Sequence, residues 1–179
     1  MRPELYIVAF PKVSAETADL ISGFRAKHDP NFRHIAAHFT LVFAVGHMSK
    51  TDLGYHVRDR IAGLAEIRFV CRYSMVGADH ASPLYYAFLV PDEGFSEISK
   101  LRDALHVGPL LTSLRPNIPY VPHITLGSFD RSEYARARCD ELNAGNLHAE
   151  GRIDSVTVMR KSGREISVGE AIRFDGAVG

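Results

Sequence analysis

Much of what this chain can be is set by what it has little of. There are two cysteines and no tryptophan in 179 residues. Cys71 and Cys139 stand far apart and outside any metal-ligand spacing, which excludes a disulfide-built fold and a cysteine-ligated metal centre. Each reads as a small core residue. Charge of one sign is also missing, since Lys plus Arg and Asp plus Glu both total 21. Without a basic field, long duplex nucleic acid has nothing to hold it through its phosphates, so any phosphate-bearing ligand must be gripped locally. A nucleotide or a short RNA end suits that balance. No apolar run reaches the length of a membrane span, and the opening MRPELYIVAF lacks the basic, apolar and small-residue regions of a secretory leader. The expectation is a cytoplasmic chain with no membrane partner, monomeric by default. Walker loop, G-x-S-x-G elbow and Cys-x-x-Cys are all absent, which leaves those three chemistries without support.

A composition 46% hydrophobic and 23% charged is that of one ordinary globular domain. Leu5 to Phe10 reads as a strand stopped by Pro11. Thr17, Leu20, Ile21, Phe24 and His28 then mark one face of a helix ending near Asp29-Pro30. A strand holding His38 follows. Ser49 to Asp52 resembles a capping box opening a second helix through Leu53, Val57, Ile61 and Leu64, and a strand is expected from Ile67 to Val76. After the turn-rich GADHASP the order recurs, with strand 83–91, a helix through Phe95, Ile98, Leu101 and Leu105, a proline-rich loop and strand 121–129. Asp130 and Glu133 should cap a fourth helix to about Leu142, before strands near Ile153 to Arg160 and Glu165 to Phe174 joined at Ser162-Gly163.

YIVAFP (6–11) and YAFLVP (86–91) share their tyrosine and proline, and each leads through a helix to an H-x-T-L strand. This has the form of an internal duplication, which predicts one domain over 1–179 made of two lobes related by a pseudo-twofold axis. The fold class expected is α+β with mainly antiparallel sheets.

The two H-x-T-L segments carry the chemistry. In AAHFTLVFA (36–44) and VPHITLGSF (121–129), His and Thr alternate with apolar residues, so each strand turns an imidazole and a hydroxyl to one face. With six threonines in the chain, a histidine meets Thr two positions on about 3% of the time by chance, and two copies that also share the following Leu are far rarer. Paired imidazoles can supply a general base and a general acid, while Thr40 and Thr125 can donate to non-bridging phosphate oxygens. Such a set would open a strained cyclic phosphodiester without a metal or cofactor.

His38-Phe39-Thr40-Leu41 and His123-Ile124-Thr125-Leu126 resemble the paired H-x-T/S-hydrophobic signatures of the 2H phosphoesterase superfamily, which includes 2′-5′ RNA ligase-like proteins and cyclic phosphodiesterases. The P-x-x-P-H-x-T-L-G surroundings of His123 and the duplication fit as well. The resemblance implies two antiparallel sheets around a central groove with helices outside, metal-independent cleavage of 2′,3′-cyclic phosphates or related bonds, and in some members reversible 2′-5′ joining of RNA. Many relatives carry Arg or Lys two or three positions after the second Thr, where this chain has Gly127 and Ser128.

The remaining candidates rest on single residues. Arg33, Arg115 and Lys12 are basic residues near the motifs or their loops and could bind phosphate, although solvated surface charge is the commoner fate. Tyr120 could stack on a base or simply pack the proline-rich loop. Tyr6 and Tyr86 could line the groove or the core. His34 and His38 would align as metal ligands on a helix, which the strand pattern around them disfavours. A binding module that holds an RNA end without turnover is the rival from another class.

Overall fold

In the computed structural model, residues 4–78, 82–163 and 165–176 are described, so Asp79, His80 and Ala81 of the expected GADHASP turn lie outside the described residues. Among the described residues, ten strands form two antiparallel sheets. The strands are β1 Glu4–Ala9, β2 Lys12–Val13, β3 Phe39–Val45, β4 Ile67–Cys71, β5 Tyr73–Ala78, β6 Tyr85–Val90, β7 Ile124–Phe129, β8 Ala149–Ile153, β9 Ser155–Ser162 and β10 Glu165–Arg173. A seven-stranded sheet runs β10-β9-β1-β3-β7-β6-β5 and a three-stranded sheet runs β2-β8-β4. The α+β class with antiparallel sheets expected from the sequence is the class observed.

The helices form where local chemistry starts them. Helix α1, Ala15–His28, is capped by Ser14, whose Oγ accepts from Thr17 N–H at 3.2 Å. Helix α2, Lys50–Ile61, opens on the foreseen box: Ser49 Oγ accepts from Asp52 N–H at 3.1 Å and donates to the Asp52 carboxylate at 2.7 Å. Such caps contribute about 1 kcal/mol each. Helix α3, Phe95–Leu105, buries Ile98, Leu101 and Leu105. Helix α4, Ser132–Ala144, begins after Arg131 with no side-chain cap, so the expected Asp130–Glu133 cap does not form.

Pairing follows the repeat. The β3–β7 pair lies between β1 and β6, and on the other sheet β4 pairs with β8. Helix α1, which follows β1, packs on β7, and α3, which follows β6, packs on β3. Even the second residues after the two prolines correspond, since Val13 pairs with Gly151 of β8 while Glu93 bridges to Val70 of β4. The core fills the space between the sheets and helices, with Phe39 meeting Phe69 edge-on at 5.2 Å across the two sheets.

The single strand expected over Ile67 to Val76 is two strands in different sheets, broken at Arg72. Arg72 is held outside by Asp92 and Glu93, each at 2.5 Å, and the chain crosses between sheets there. Three elements went unforeseen: the two-residue β2, the strand β8 that joins it to β4 in the smaller sheet, and a short 3-10 helix, Gly108–Ser113, within the proline-rich loop.

Candidate active site

His38 and His123 are the residues immediately before β3 and β7. Phe39 pairs with Ile124, so the same antiparallel register sets His38 opposite Thr125 and Thr40 opposite His123. Phe39 and Ile124 are fully buried in the core, which turns both histidines and both threonines to the opposite face of the sheet, all four half-buried. The four motif residues that are 85 positions apart in sequence therefore form one reciprocal square.

Each motif leucine has a local job as well. Val8 pairs with Thr40 and Ile7 with Val42, leaving Leu41 as an extra residue; Phe88 pairs with Thr125 and Ala87 with Gly127, leaving Leu126 as its counterpart. Both are bulge residues, and both are fully buried. A bulge bends and twists its strand and re-aims the neighbouring side chains. Two of them, placed one residue past each threonine, anchor the strands into the core on the far side of the square. Burial of each leucine contributes about 2 kcal/mol.

The two imidazoles are held alike. His38 Nδ1 lies 2.8 Å from the Ala36 carbonyl and His123 Nδ1 lies 2.7 Å from the Val121 carbonyl. A carbonyl only accepts, so each Nδ1 carries the proton and donates it, leaving Nε2 as the nitrogen open to chemistry. Burial lowers the pKa of both rings. It takes His123 down to about 4, against the opposing pull of the Val121 carbonyl and with a further push from a charged His38. His38 is lowered by burial first and by Arg25, with its carbonyl bond and Asp29 raising it.

Arg25 is the clamp behind His38. It is buried on α1, with Nε donating to Asp29 at 2.8 Å and Nη2 to the Ile35 carbonyl at 2.8 Å, and so fixes the turn whose Ala36 carbonyl orients His38. Nothing in the sequence marked it, because a lone arginine near a helix end reads as surface charge.

Tyr120 is half-buried, and its hydroxyl donates to the Thr40 carbonyl at 3.0 Å while the Arg102 guanidinium lies 4.9 Å above its ring. It ties the loop before His123 to the strand of the other motif. Arg33 is exposed in the turn before His38 and makes no hydrogen bond or ion pair among the described residues. Arg115 acts electrostatically on Tyr6, opposing the burial and the Glu4 contact that push that phenol up to about 12. Lys12 is on the three-stranded sheet, paired with Asp154. Residues 31–34 form turns and no helix, so His34 and His38 are not aligned as helical ligands, and the described residues contain no group of three or more His, Cys, Asp or Glu able to hold a metal ion. At Gly127 a Cβ would come within 2.7 Å of His28 on α1, which explains why no longer side chain stands there.

The fold and this square define a class: an antiparallel α+β protein with a paired H-x-T site on one sheet face. A profile of the 2′-5′ RNA ligase superfamily matches residues 10–165. The chain belongs to that superfamily of 2H phosphoesterases. Among solved structures, E. coli LigT complexed with 3′-AMP is similar at 20% identity, with 96% of this chain and 98% of that chain covered and a TM-score of 0.56. Usb1 from Kluyveromyces marxianus is similar at 10% identity, covering 93% and 97%, with a TM-score of 0.54. No curated protein sequence matches the chain.

Proposed function

We propose that the chain is a metal-independent phosphoesterase that opens 2′,3′-cyclic phosphates, or related 2′-linked phosphodiesters, at RNA ends or in nucleotides. The observation that carries this is the reciprocal register, in which each histidine faces the threonine of the other motif and keeps Nε2 free while Nδ1 is tied to backbone. A phosphate seated between the strands has an imidazole on either side, and the Thr40 and Thr125 hydroxyls donate to its non-bridging oxygens as negative charge grows there. One Nε2 takes a proton from water as the water oxygen bonds to phosphorus, and the other gives a proton to the oxygen leaving the ring. Water is thus added across one P–O bond, and proton exchange with solvent resets the pair.

The occupants of similar structures support the substrate class: nucleotides in LigT with 3′-AMP and Usb1 with uridine monophosphate, and a bare phosphate in another LigT structure. The same chemistry run backwards joins a 2′-5′ bond, a second reading favoured by the superfamily to which the chain belongs. The test is a panel of 2′,3′-cyclic nucleotides, 2′-5′ oligonucleotides and cyclic-phosphate RNA with a 5′-hydroxyl partner, incubated in EDTA and resolved by product. Opened monophosphates in EDTA support the hydrolase, and joined RNA supports the ligase. Activity lost in EDTA and restored by zinc overturns metal independence; binding without any product establishes the binding module instead.

A further inference from the structure

The two repeats match at the tyrosine and the proline, at the bulge and at the histidine tether, but they differ at one point beside the site. Aligning Tyr6 with Tyr86 puts Val8 level with Phe88, and the pairing agrees, since Val8 faces Thr40 and Phe88 faces Thr125. The outer neighbours differ in the opposite sense. Tyr6 pairs with Met159 on β9, whereas Tyr86 pairs with Gly77 on β5. The first repeat fills its slot with Met159 and Ile35 packed around Val8. In the second, Gly77 leaves the slot empty of side chain and the Phe88 ring occupies it, so closely that a Cβ on Gly77 would fall 1.9 Å from the ring. That ring lies stacked on His123, with centroids 3.6 Å apart and planes 20° apart. Among the described residues His38 has no such cover; the aromatic ring beside it is Phe10, tilted by 58° at 5.8 Å.

We infer that Phe88, seated by Gly77, is a positioning residue for His123 that breaks the equivalence of the two motifs, holding His123 as the proton acceptor at the start of turnover and leaving His38 as the donor. A ring stacked on one face of an imidazole blocks rotation about its tether and keeps water off that face, where a charged ring would need hydration. His123 therefore enters neutral. The groups that act on the pair are few: His38 is the titratable neighbour of His123, and Arg25 and Asp29 from α1 and its end act on His38. Of the two rings, His123 has the stacked cover and His38 has not, and it is this difference that sets His38 as the ring that carries the proton. In the hydrolytic step the water proton passes to His123 Nε2, the water oxygen bonds to phosphorus, the ring P–O bond breaks, and the departing oxygen takes the proton from His38.

This rests on the proposed two-histidine reaction, and the experiment separates the two claims. The ring-proton titrations of His123 and His38 are followed by NMR, with no substrate needed, in wild type, Phe88→Val, Gly77→Ala and Phe88→Tyr; Phe88→Leu stands in should the valine variant not fold. Phe88→Val, which copies the first repeat, is expected to move the His123 titration up by about one pH unit, with the acid limb of the kcat/KM profile on a 2′,3′-cyclic nucleotide moving alongside. Gly77→Ala, which displaces the ring without altering it, should shift it the same way, and Phe88→Tyr should restore wild-type values. His123 titrating unchanged in folded Phe88→Val, or Phe88→Leu in its place, and Gly77→Ala overturns the positioning role while leaving the two-histidine reading intact. Absence of turnover in wild type overturns the reaction and with it the acceptor and donor assignments.

Discussion

Replacing Arg25 with methionine separates the framework of the site from its chemistry. Arg25 and Asp29 form an ion pair at 2.7 Å with side chains 5% and 6% exposed, and the same guanidinium donates to the Ile35 carbonyl. Methionine keeps the stem volume and removes every donor. Asp29 would keep the Asn31 N–H at 2.8 Å and lose its charge partner, and the Ile35 carbonyl would be left buried without a donor. Breaking a buried pair by removing one member costs about 3–5 kcal/mol, because a charge is stranded, far more than an exposed pair is worth. Urea unfolding followed by circular dichroism should show a loss of that size. The double variant Arg25→Met/Asp29→Leu strands no charge and should recover much of it. The turn that carries Ala36 would shift with the clamp, so kcat on a cyclic nucleotide should fall about ten- to a hundredfold even where the protein is fully folded, as a small misplacement of a reacting group does. A stability loss below about 1 kcal/mol, or unchanged kcat, would refute the clamp.

Three further expectations come from other parts of the molecule. His123 is held down to about 4 in the folded state against an ordinary 6.5, so the unfolded chain binds more protons between those values; stability from this group is full above 6.5 and falls by up to about 3 kcal/mol as pH drops to 4, and a urea midpoint that rose on acidification over that window would contradict it. Ala44 has φ of 45°, in the left-handed region, so Ala44→Gly should raise stability by about 1 kcal/mol in thermal or urea unfolding. Cys71 is fully buried and its thiol is pushed up to about 12 by burial, with Cys139 raised by the same cause, so neither should react with a thiol reagent in native protein while both react in denaturant.

The parts of this fold that short-range pattern governs were legible in the sequence. Ser49 and Asp52 announce their helix, the H-x-T-L alternation gives the two central strands, and the doubled motif marks those two strands as facing one another, while the register that sets each histidine opposite the other motif's threonine comes only from the pairing of Phe39 with Ile124. What escaped depends on contacts distant in the chain. IRFVCRYSMV alternates through Arg72 without a break, and only Asp92 and Glu93, some 20 residues on, pull that arginine out and split the strand. The leucine after each threonine was visible as a repeated letter, but its role as a bulge residue emerges only once the partner strand is in register. Lys12 was one of several basic residues near the motifs until Asp154 claimed it. Phe88 hid in a run of strand residues, although alignment of the two repeats at their tyrosines would have shown it as the position where valine becomes phenylalanine.

The measurement that bears most directly on the central claim is single-turnover opening of a 2′,3′-cyclic nucleotide, with affinity measured alongside, by wild type, His38→Ala, His123→Ala and the double variant. If the two imidazoles act as one acid–base unit, each single change should remove about as much rate as both together, with affinity changed little. Rate losses that multiply in the double variant, or a single variant that still turns over at the wild-type rate, would contradict it.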